Sequence, residues 1–434
     1  MTPIQAEALP HLLKNKDLIA QAKTGSGKTA AFGIGLLAKL NVRQYQVQSL
    51  IICPTRELAN QVAQEIKRLA RFQQNIKVLT LCGGSPFGPQ LGSLEHGAHI
   101  VVGTPGRLKE HIRKGSLSLD KVNTLVLDEA DRMLDMGFHD AISDIIENIP
   151  KSRQTLLFSA TYPEGIQSIS NKFQRKPIRV SVEAVHSQND IEQLFYEVKK
   201  HERNNALLGL LKHYQPESTV IFCNTKAQCK DLTQFLREHD ADVATIHGDL
   251  EQWERDQVLV QFTNKSRTIL VATDVAARGL DIKDLQAVIN YEISRDPEIH
   301  IHRIGRTGRA GKKGLALSLY TESEQYKLNA IEELINKPVR CDTPASLDIY
   351  NQLEMKPTMV TMCIDGGRRN KVRAGDVLGA LTGDVGLDYD SVGKIDIFEH
   401  RTYVAINRND IDTAVGKLSR GTIKGRHFKV KKLR

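Results

Sequence analysis

Residues 22–29 read Ala22-Lys23-Thr24-Gly25-Ser26-Gly27-Lys28-Thr29, a glycine-rich run that ends in a lysine and a threonine. Gly25 and Gly27 let the backbone approach phosphate oxygens, because no Cβ stands in the way, and a following helix would point its first N–H groups at the same anions. Lys28 can then reach the β- and γ-phosphates, and the Thr29 hydroxyl can bind Mg²⁺. The run, Thr24 and Ser26 included, predicts a site for a polyphosphate between a strand and a helix.

Short apolar segments alternate with helical patterns around this run, from Met1 to about residue 183. Continuous apolar segments of this length are typical of strands buried on both faces of a parallel sheet. Strands are predicted at Ser49–Cys53, Val78–Leu81, Ile100–Val102, Leu125–Leu127 and Thr155–Phe158, and helices at Glu57–Ala70 and Arg107–Arg113. Residues 1–183 are therefore predicted to form an α/β domain with helices on both faces of a parallel sheet.

The alternation resumes after a polar stretch at residues 184–190, which we interpret as a linker. Predicted strands are Thr219–Cys223, Val243–Ile246, Thr268–Ala272, Ala287–Asn290 and Gly314–Leu319, and predicted helices are Ala227–Glu238 and Glu251–Phe262. Residues 191–344 are thus predicted to form a second α/β domain. This part of the sequence has no glycine-rich phosphate run of its own, so we do not expect it to bind a second nucleotide.

A smaller pattern follows a second polar stretch, residues 345–357, which we also interpret as a linker. Its segments are Met359–Ile364, Arg373–Thr382, Gly393–Phe398, Thr402–Asn407, Ile411–Leu418 and Lys424–Lys431. They give residues 358–434 the order β-α-β-β-α-β of a small α+β domain, the layout used by RNA-recognition modules. Because a fold alone does not imply a function, RNA binding needs separate support.

The charge distribution supplies part of that support. The chain carries a net charge of +9, and residues 358–434 contain 15 Lys and Arg against 9 Asp and Glu, a balance of +6. Positive charge concentrated in one domain favours a nucleic-acid partner. The alternative is a charged tail that only aids solubility, but Ile423, Phe428, Val430 and Leu433 interleave the charges as in a strand.

Several classes of protein are disfavoured by the sequence. No apolar run approaches the roughly 20 residues that a membrane span needs. The first residues lack the basic and apolar segments of a signal peptide, so we expect a cytoplasmic protein without a membrane partner. The six cysteines form no CxxC pair, which favours small buried apolar residues over zinc ligands or disulfides.

Acidic residues follow another predicted strand directly, as Asp128-Glu129-Ala130-Asp131. At the carboxyl end of a parallel strand these side chains would lie beside the phosphate run. Asp128 can hold Mg²⁺ through water, and Glu129 is placed to activate an attacking water. The hydroxyls of Ser159 and Thr161, which end a further strand, can bond Asp131, although Ser-Ala-Thr alone is as often an ordinary turn.

The second domain offers groups that could complete the site. The run His302-Arg303-Ile304-Gly305-Arg306-Thr307-Gly308-Arg309 places arginines three residues apart, so Arg306 and Arg309 would share a face. Guanidinium groups suit a phosphate whose charge shifts during transfer. After the strand that ends at Ala272, Gly279 permits close approach to a nucleotide and Asp281 can accept a hydrogen bond from its ribose. Such a site would be complete only when the two domains close.

These segments together resemble the DEAD-box RNA helicases. The matching runs, in family order, are TPIQ (2–5), AKTGSGKT (22–29), PTRELA (54–59), GG (83–84), TPGR (104–107), DEAD (128–131), SAT (159–161), IFCNT (221–225), QWER (252–255), TDVAARGLD (273–281) and HRIGRTGR (302–309). The resemblance implies two RecA-like domains in tandem, an RNA-stimulated ATPase that needs ATP and Mg²⁺, and local separation of short RNA duplexes.

The resemblance also assigns residues. Gln5 is implied to read adenine, and Asp131, Ser159, Thr161 and His302 are implied to couple the two domains. A groove for single-stranded RNA is implied at Pro54, Thr55, Arg56, Gly84, Thr104, Gly106, Arg107, Asn224, Gln252, Thr273 and Arg278. Contacts to the sugar–phosphate backbone would explain unwinding without sequence readout, and contacts to 2′-hydroxyls would explain a preference for RNA.

Two features depart from the family pattern. The family has an aromatic residue upstream of its TPIQ segment, whereas this chain begins four residues before Gln5. We therefore expect adenine recognition to be weaker in the chain as given. Trp253 stands between Gln252 and Arg255, and we interpret it as local packing.

The C-terminal domain is similar to that of the bacterial DbpA group of these helicases. The RNA-contacting strand of such modules has its best match at residues 399–406, whose one aromatic residue, Tyr403, we expect to contact RNA. Arg368, Arg369, Lys371 and Arg373 form a basic cluster that we expect to attract phosphates, helped by the dipole of the helix that follows. The group resemblance implies a monomer whose partner is large-subunit (23S-type) ribosomal RNA in pre-ribosomal particles, with a role in ribosome assembly.

Two other functions stay open from the sequence. One is a general ATP-gated RNA clamp or remodelling factor without specificity for ribosomal RNA. The intact Glu129, Arg306 and Arg309 argue against a clamp that does not hydrolyse ATP. The other is a DNA translocase, which the DEAD tetrad disfavours. The linker at 345–357 is expected to let the tail hold a structured RNA while the core samples nearby helices.

Overall fold

The computed structural model describes residues 1–22, 25–162, 164–182, 191–277, 285–308, 313–347 and 352–433. The chain divides into two compact units, which separate between residues 182 and 191 and are described one at a time. The predicted linker 184–190 lies outside the described residues. Among the described helices, none has the length and apolar character needed to cross a membrane.

The first unit contains a seven-stranded sheet whose paired strands all run parallel. Its strands are β1 Leu18–Gln21, β2 Ser49–Ile52, β3 Val78–Leu81, β4 Ile100–Gly103, β5 Thr124–Asp128, β6 Gln154–Ser159 and β7 Ile178–Ser181, in the order β3-β4-β2-β5-β6-β1-β7. The five strands predicted from the sequence are confirmed to within a residue or two. Two further strands, β1 and β7, were not predicted.

Helices cover both faces of this sheet, as predicted. They are α1 Pro3–Leu13, α2 Lys28–Leu37, α3 Arg56–Leu69, α4 Phe87–Glu95, α5 Pro105–Arg113, α6 Ala130–Asp135, α7 His139–Glu147 and α8 Glu164–Phe173. In α3 the apolar residues Leu58, Val62 and Ile66 recur every four positions and are buried on one side of the sheet. A second core, which includes Leu108, lies on the other side. Two apolar layers therefore hold the strand ends in fixed positions.

The second unit begins with another seven-stranded parallel sheet. Its strands are β8 Ile191–Glu197, β9 Thr219–Cys223, β10 Val243–Ile246, β11 Ile269–Thr273, β12 Ala287–Asn290, β13 Gly314–Tyr320 and β14 Arg340–Asp342, in the order β10-β11-β9-β12-β13-β8-β14. Its helices are α9 Arg203–Tyr214, α10 Lys226–Glu238, α11 Gln252–Thr263, α12 Asp274–Ala277, α13 Pro297–Ile304 and α14 Gln325–Ile335. The tandem α/β architecture is confirmed.

The C-terminal domain has the predicted β-α-β-β-α-β order. Its elements are β15 Met359–Ile364, α15 Ala374–Gly379, β16 Val392–Ile397, β17 Thr402–Asn407, α16 Ile411–Leu418 and β18 Val430–Lys432. The four strands form an antiparallel sheet in the order β16-β17-β15-β18. The first helix is shorter than predicted, because Ala380–Asp384 form a wider helical turn. The last strand is also shorter than the predicted Lys424–Lys431.

This small sheet is covered on both faces. One face carries Met362, Ile364 and Val404, which pack in the domain's own core with residues of α15 and α16. On the opposite face, Tyr403 belongs to a buried cluster with Val260 of α11. The sheet surface that RNA-recognition modules use for base stacking is therefore occupied here by the preceding domain.

The polar stretch at 345–357 is packed in its described part. Leu347 and Met355 are buried in the core of the second sheet domain. The side-chain amide of Gln215 donates to the carbonyl of Gln352 at 3.0 Å and accepts from the amide of Glu354 at 3.2 Å. The expectation of a flexible tether is wrong for these residues, since the stretch and the tail are both fastened to the second sheet domain.

Candidate nucleotide and RNA site

The strand order places the predicted site residues along one edge of the first sheet. Parallel strands end on the same side, so the segments that follow them lie next to each other in the order of the strands. Residues 22–29, 128–131 and 159–161 follow the neighbouring strands β1, β5 and β6. The segments predicted to contact RNA follow the other neighbouring group, β2, β3 and β4. After the contacts predicted for them, we call the part of the edge at β1, β5 and β6 the nucleotide half and the part at β2, β3 and β4 the RNA half.

The phosphate run opens helix α2 as predicted. Lys28 is the first residue of the helix, is buried, and donates through Nζ to the carbonyl of Ala22 at 2.7 Å. The hydroxyl of Ser26 is buried and has no hydrogen-bond partner among the described residues. A buried hydroxyl and a buried ammonium beside the N-terminus of a ten-residue helix fit a polyphosphate. Thr29 is half-buried in the first turn, and Thr24 lies outside the described residues.

Gln5 lies against the phosphate run. Its side-chain amide donates to the carbonyl of Gly27 at 3.2 Å, while its oxygen accepts from the amide of Thr2 at 3.0 Å. Gly27 has a φ of 94°, and a Cβ at this position would lie 2.5 Å from Nε2 of Gln5. Glycine is therefore required at Gly27 both for the backbone conformation and for the approach of Gln5. The predicted contact of Gln5 with adenine stays a prediction.

The acidic pair follows β5. Burial raises the pKa of Asp128 to about 6, against the opposing effect of the Lys28 charge. The amide of Glu129 donates to Oδ1 of Asp128 at 3.1 Å, and Glu129 adopts a left-handed φ of 50°. A buried carboxylate close enough to Lys28 to be affected by its charge fits Mg²⁺, which takes few protein ligands and binds phosphate oxygens and water as well. The donor set is therefore suitable for a magnesium–nucleotide complex.

The predicted contact between Asp131 and Thr161 is confirmed. Oδ2 of Asp131 accepts from the hydroxyl of Thr161 at 3.1 Å and from the amides of Ala160 and Thr161 at 3.2 and 3.0 Å. The hydroxyl of Ser159 accepts from the amide of Asp131 at 3.3 Å. Burial opposes ionisation of Asp131, but the Arg132 charge and these hydrogen bonds lower its pKa overall. The ends of β5 and β6 are thus joined by a charged hydrogen-bond network.

The RNA half contains two strand-to-helix turns, and a side chain caps the helix at the first of them. Thr55 caps α3 by accepting from the amide of Leu58 at 3.3 Å, and Pro54 lies just before it. The guanidinium of Arg56 lies where a Cβ of Gly84 would be, and Gly84 has a φ of 72°. Glycine is therefore required at position 84, because the backbone there is left-handed and the Arg56 guanidinium occupies the space that a side chain would need.

The second turn follows β4. Thr104 precedes α5, and a Cβ on Gly106 would meet no neighbouring atom, so the backbone there is open. Arg107 donates to the carbonyl of Ser85 at 3.1 Å and pairs with Glu110. The structure brings these residues together with Arg56 and Gly84. Their contact with RNA stays a prediction.

In the second sheet domain one residue outside our predictions organises the strand ends. Arg303 is 2% exposed, and its guanidinium donates to both carboxylate oxygens of Asp274 at 2.7 Å. It also donates to the side chains of Asn290 at 3.1 Å and Asn224 at 2.8 Å. The ends of β9, β11 and β12 are therefore held by one buried arginine. In the sequence, this contact is indicated only by the opposite charges of Arg303 and Asp274, which lie in two separate segments.

Other predicted residues of this domain have mixed outcomes. Arg306 lies beyond the end of α13 at Ile304. The face that we expect it to share with Arg309 stays a prediction. His302 is half-buried in α13. Thr273 accepts from the amide of Ala276 at 3.4 Å, and Gln252 donates to Asp256 at 2.9 Å. Arg278, Gly279, Asp281 and Arg309 lie outside the described residues.

The structure contradicts the prediction that Tyr403 binds RNA. Its side chain is 3% exposed, and its ring packs edge-on against Phe398 at 5.4 Å and beside Val260. A ring covered in this way has no face for a base. Tyr403 lies on the face of β17 opposite to Val404, which packs in the domain's own core.

The basic cluster of the tail is exposed. Arg368, Arg369, Lys371 and Arg373 all face solvent, and Arg369 pairs with Glu399 at 2.9 Å. The amide of Arg373 donates to Asp376, which occupies the first turn of the six-residue helix α15. The helix dipole therefore adds less than expected, since the helix is short and an acid already lies at its start. Any attraction for phosphate comes mainly from the four charges.

Three segments match known protein families. Residues 2–169 match the DEAD/DEAH box helicase family, residues 202–311 the helicase conserved C-terminal domain, and residues 361–432 the DbpA RNA binding domain. The chain is 52% identical to the ATP-dependent RNA helicase DbpA of Escherichia coli (strain K12) over 434 residues, which is 100% of this chain and 94% of that protein. It is 36% identical to ATP-dependent RNA helicase DbpA of Bacillus subtilis (strain 168), over 99% of this chain and 94% of that protein.

Solved structures are similar over the two sheet domains. A structure of S. cerevisiae Dbp5 bound to RNA and ADP BeF3 has a TM-score of 0.72 at 30% identity, covering 79% of this chain and 90% of that chain. Another structure, of a single-residue variant of S. cerevisiae Dbp5 bound to a variant of Gle1 and to IP6, has a TM-score of 0.65 at 32% identity, with coverage of 79% and 88%. Both likenesses concern the tandem fold.

Proposed function

This chain belongs to the DEAD-box ATP-dependent RNA helicases, and we propose that its C-terminal domain anchors it to large-subunit ribosomal RNA while the core unwinds short neighbouring duplexes during ribosome assembly. The observation that carries the anchor is the match of residues 361–432 to the DbpA RNA binding domain. The E. coli and B. subtilis relatives that match over almost the whole chain bear the DbpA name. The proposed partner is the one that the DbpA group resemblance implies.

We propose the following division of labour for ATP hydrolysis. Lys28 and the backbone of residues 24–29 hold the phosphates, and Gln5 reads the adenine. A magnesium ion bound by Thr29 and, through water, Asp128 would supply charge neutralisation at the phosphates. Glu129 orients the attacking water and accepts its proton. Arg306 and Arg309 stabilise the charge that develops on the transferred phosphate, and Gly279 and Asp281 contact the nucleotide from the second domain.

RNA is proposed to bind by its backbone. The basic and polar groups of the RNA half, the half-buried Arg56 and Arg107 among them, grip one strand together with Asn224, Gln252, Thr273 and Arg278 of the second unit. A strand held in a bent shape cannot stay paired, so a short duplex opens. The network of Asp131, Ser159 and Thr161, with His302, is proposed to make this grip depend on bound ATP. Hydrolysis then releases the strand.

The anchor is proposed to lie on loops rather than on the sheet. Because the open face of the tail's sheet is covered by α11, the exposed cluster of Arg368, Arg369, Lys371 and Arg373 is the surface of this domain that we assign to RNA. Arginine groups exposed in a cluster bind phosphates and single-stranded loops of structured RNA. A docked tail would hold that RNA at a set distance from α11.

We further propose that the protein acts as a monomer in the cytoplasm on pre-ribosomal particles. Its six cysteines are all unpaired, as expected in a reducing compartment. Ultraviolet crosslinking in cells, followed by sequencing of the bound RNA, tests the proposed partner. Reads should concentrate in one region of large-subunit ribosomal RNA. Reads spread over messenger RNAs in proportion to their abundance would instead support a general RNA clamp.

A further inference from the structure

Trp253 is the only tryptophan of the chain and lies in the first turn of α11. We expected it to be local packing, but half of its surface is exposed. Its indole N–H donates to the carboxylate of Glu251 at 2.7 Å, which fixes the orientation of the ring. A single exposed aromatic residue is common on protein surfaces, so exposure alone does not identify a binding site.

A cation from another domain lies over this ring. The guanidinium carbon of Arg401, in the turn between β16 and β17, is 5.7 Å from the centroid of the Trp253 ring. The side chain of Arg401 is 39% exposed and also lies 3.7 Å from Asp365. The pair therefore joins the second sheet domain to the C-terminal domain, and both partners keep surface open to solvent.

The pair also lies between two sets of residues assigned to RNA. On one side, Gln252 precedes Trp253 directly and is one of the groove residues. On the other side, the turn that carries Arg401 is bonded to the basic cluster. The amides of Arg368 and Arg369 donate to the carbonyls of Phe398 and Glu399 at 2.9 and 3.0 Å. An RNA strand that passes from the groove to the cluster would meet Trp253 and Arg401.

The surroundings hold the pair in place. Val260 of α11 and Tyr403 of β17 are buried together beside it, and Ser266 is bonded to Thr361 across the same junction at 2.7 Å. A ring and a guanidinium that are already positioned lose little conformational freedom when a ligand binds. A flat π-face beside a cation is the arrangement on which nucleobases stack in single-stranded RNA sites.

We propose that Trp253 and Arg401 form a seat for one unpaired RNA base at the junction of the two domains. The base stacks on the exposed part of the indole, and the guanidinium attracts the backbone of the same nucleotide. This inference rests on the proposed function, since it requires RNA to reach from the groove to the tail. The seat adds a contact to single-stranded RNA. The protein would therefore prefer RNAs that have an unpaired nucleotide next to the structure held by the tail.

Intrinsic fluorescence tests the seat directly, because all tryptophan emission comes from Trp253. The probe is a short RNA hairpin with a single-stranded adenosine extension, and its saturation is followed separately by the anisotropy of a label on the RNA. Emission should be quenched on binding, and acrylamide should quench the complex less than the free protein. A hairpin series with one abasic nucleotide moved along the extension should lose the quenching at one position only. Unchanged emission at saturation, or equal quenching by every abasic hairpin, would overturn the proposal.

Affinity measurements provide a second readout. Trp253→Ala should bind the extended hairpin about tenfold more weakly, as expected for the loss of one base–aromatic stack, while Trp253→Phe should retain most of the affinity. Tyr326→Ala is the matched control, since Tyr326 is an exposed aromatic residue of the same unit outside the junction. An equal loss with the extended and the blunt hairpin would show that Trp253 only supports the fold. If ribosomal RNA proves not to be the partner, the abasic series still decides whether the seat exists.

Discussion

The hydroxyl of Ser266, which follows α11, lies 2.7 Å from the hydroxyl of Thr361 in β15, and both residues are buried. This bond crosses from the second sheet domain to the C-terminal domain, next to the apolar contact between Val260 and Tyr403. A paired hydroxyl at a buried junction tolerates little displacement, because an unpaired one would lose its bonds to water without replacement. The tail is therefore docked and not merely tethered.

A double-mutant cycle tests this bond. Thr361→Val removes one hydroxyl without changing the shape and should lower the free energy of unfolding by roughly 1–3 kcal/mol, since the Ser266 hydroxyl is left buried and unpaired. Adding Ser266→Ala should recover part of the loss, because no unpaired group remains. Urea unfolding of the single and double variants measures the coupling. Strictly additive losses would show that the two hydroxyls do not depend on each other.

Two variants of the phosphate site should abolish turnover in different ways. Lys28→Ala removes the buried ammonium and should weaken ATP binding about tenfold or more. Glu129→Gln should keep ATP and RNA bound, because only the activation of water fails. Fluorescent ATP titrations and RNA retention assays, run beside ATPase rates, separate the two effects. An equal loss of ATP affinity in both variants would contradict the roles assigned to them.

The buried arginine of the second unit should dominate its stability. Arg303→Ala leaves the largely buried Asp274 without its partner and should cost roughly 3–5 kcal/mol of unfolding free energy. Arg303→Lys keeps the charge but cannot donate to both carboxylate oxygens and both asparagines, so a smaller loss is expected. Chemical denaturation of the two variants gives the comparison. If Arg303→Ala lowers the unfolding free energy by less than about 1 kcal/mol, the Arg303–Asp274 pair contributes no more than an exposed ion pair, which would contradict the prediction.

The second unit should lose stability in mild acid through His300. Burial, with the nearby charge of Arg303, lowers the pKa of His300 to about 3, so the folded protein keeps this ring neutral. The unfolded chain takes up a proton below its ordinary pKa of about 6.5, so the contribution of His300 is present above that pH and is lost as the pH falls towards 3. Between pH 7.5 and pH 5 the wild type should lose about 2 kcal/mol more than His300→Gln. If the unfolding free energies of the two proteins change equally with pH, His300 is not the cause of the acid-induced loss.

Much of the fold was predictable because strands such as Ser49–Ile52 and Leu125–Leu127 are apolar without interruption, as strands buried on both faces must be. The strands β1, β7, β8 and β14 were missed. Of these, β7 and β14 lie at sheet edges and alternate apolar residues with charged ones such as Arg179 and Arg340. The glycine and acid segments of the nucleotide half were predictable because each follows an apolar strand. Their relative positions depend on strand order, which the spacing of segments does not specify.

Residues that act between domains were not predictable in the same way. Tyr403 has the alternation of an outward-facing residue, and only the three-dimensional structure shows that Val260 covers it. Arg303 lies in an arginine-rich run, and nothing in the run itself indicates that Asp274, far away in sequence, accepts two hydrogen bonds from it. Trp253 was interpreted as local packing, and its partner Arg401 is far away in sequence.

RNA-stimulated ATPase rates show most directly whether the C-terminal domain anchors the protein to ribosomal RNA. The test variant reverses the charges of Arg368, Arg369 and Lys371 to Glu, and its control reverses the exposed Arg71, Lys121 and Lys151 of the first sheet domain, so that the net charge changes equally. Each protein is assayed with large-subunit ribosomal RNA and with an unrelated RNA of the same length.

The wild type and the control variant should respond more strongly to ribosomal RNA than to the unrelated RNA. The test variant should respond equally to both RNAs at an unchanged basal rate, with a shallower salt dependence of binding. A test variant that still prefers ribosomal RNA as strongly as the wild type would contradict the assignment of the C-terminal domain as the anchor.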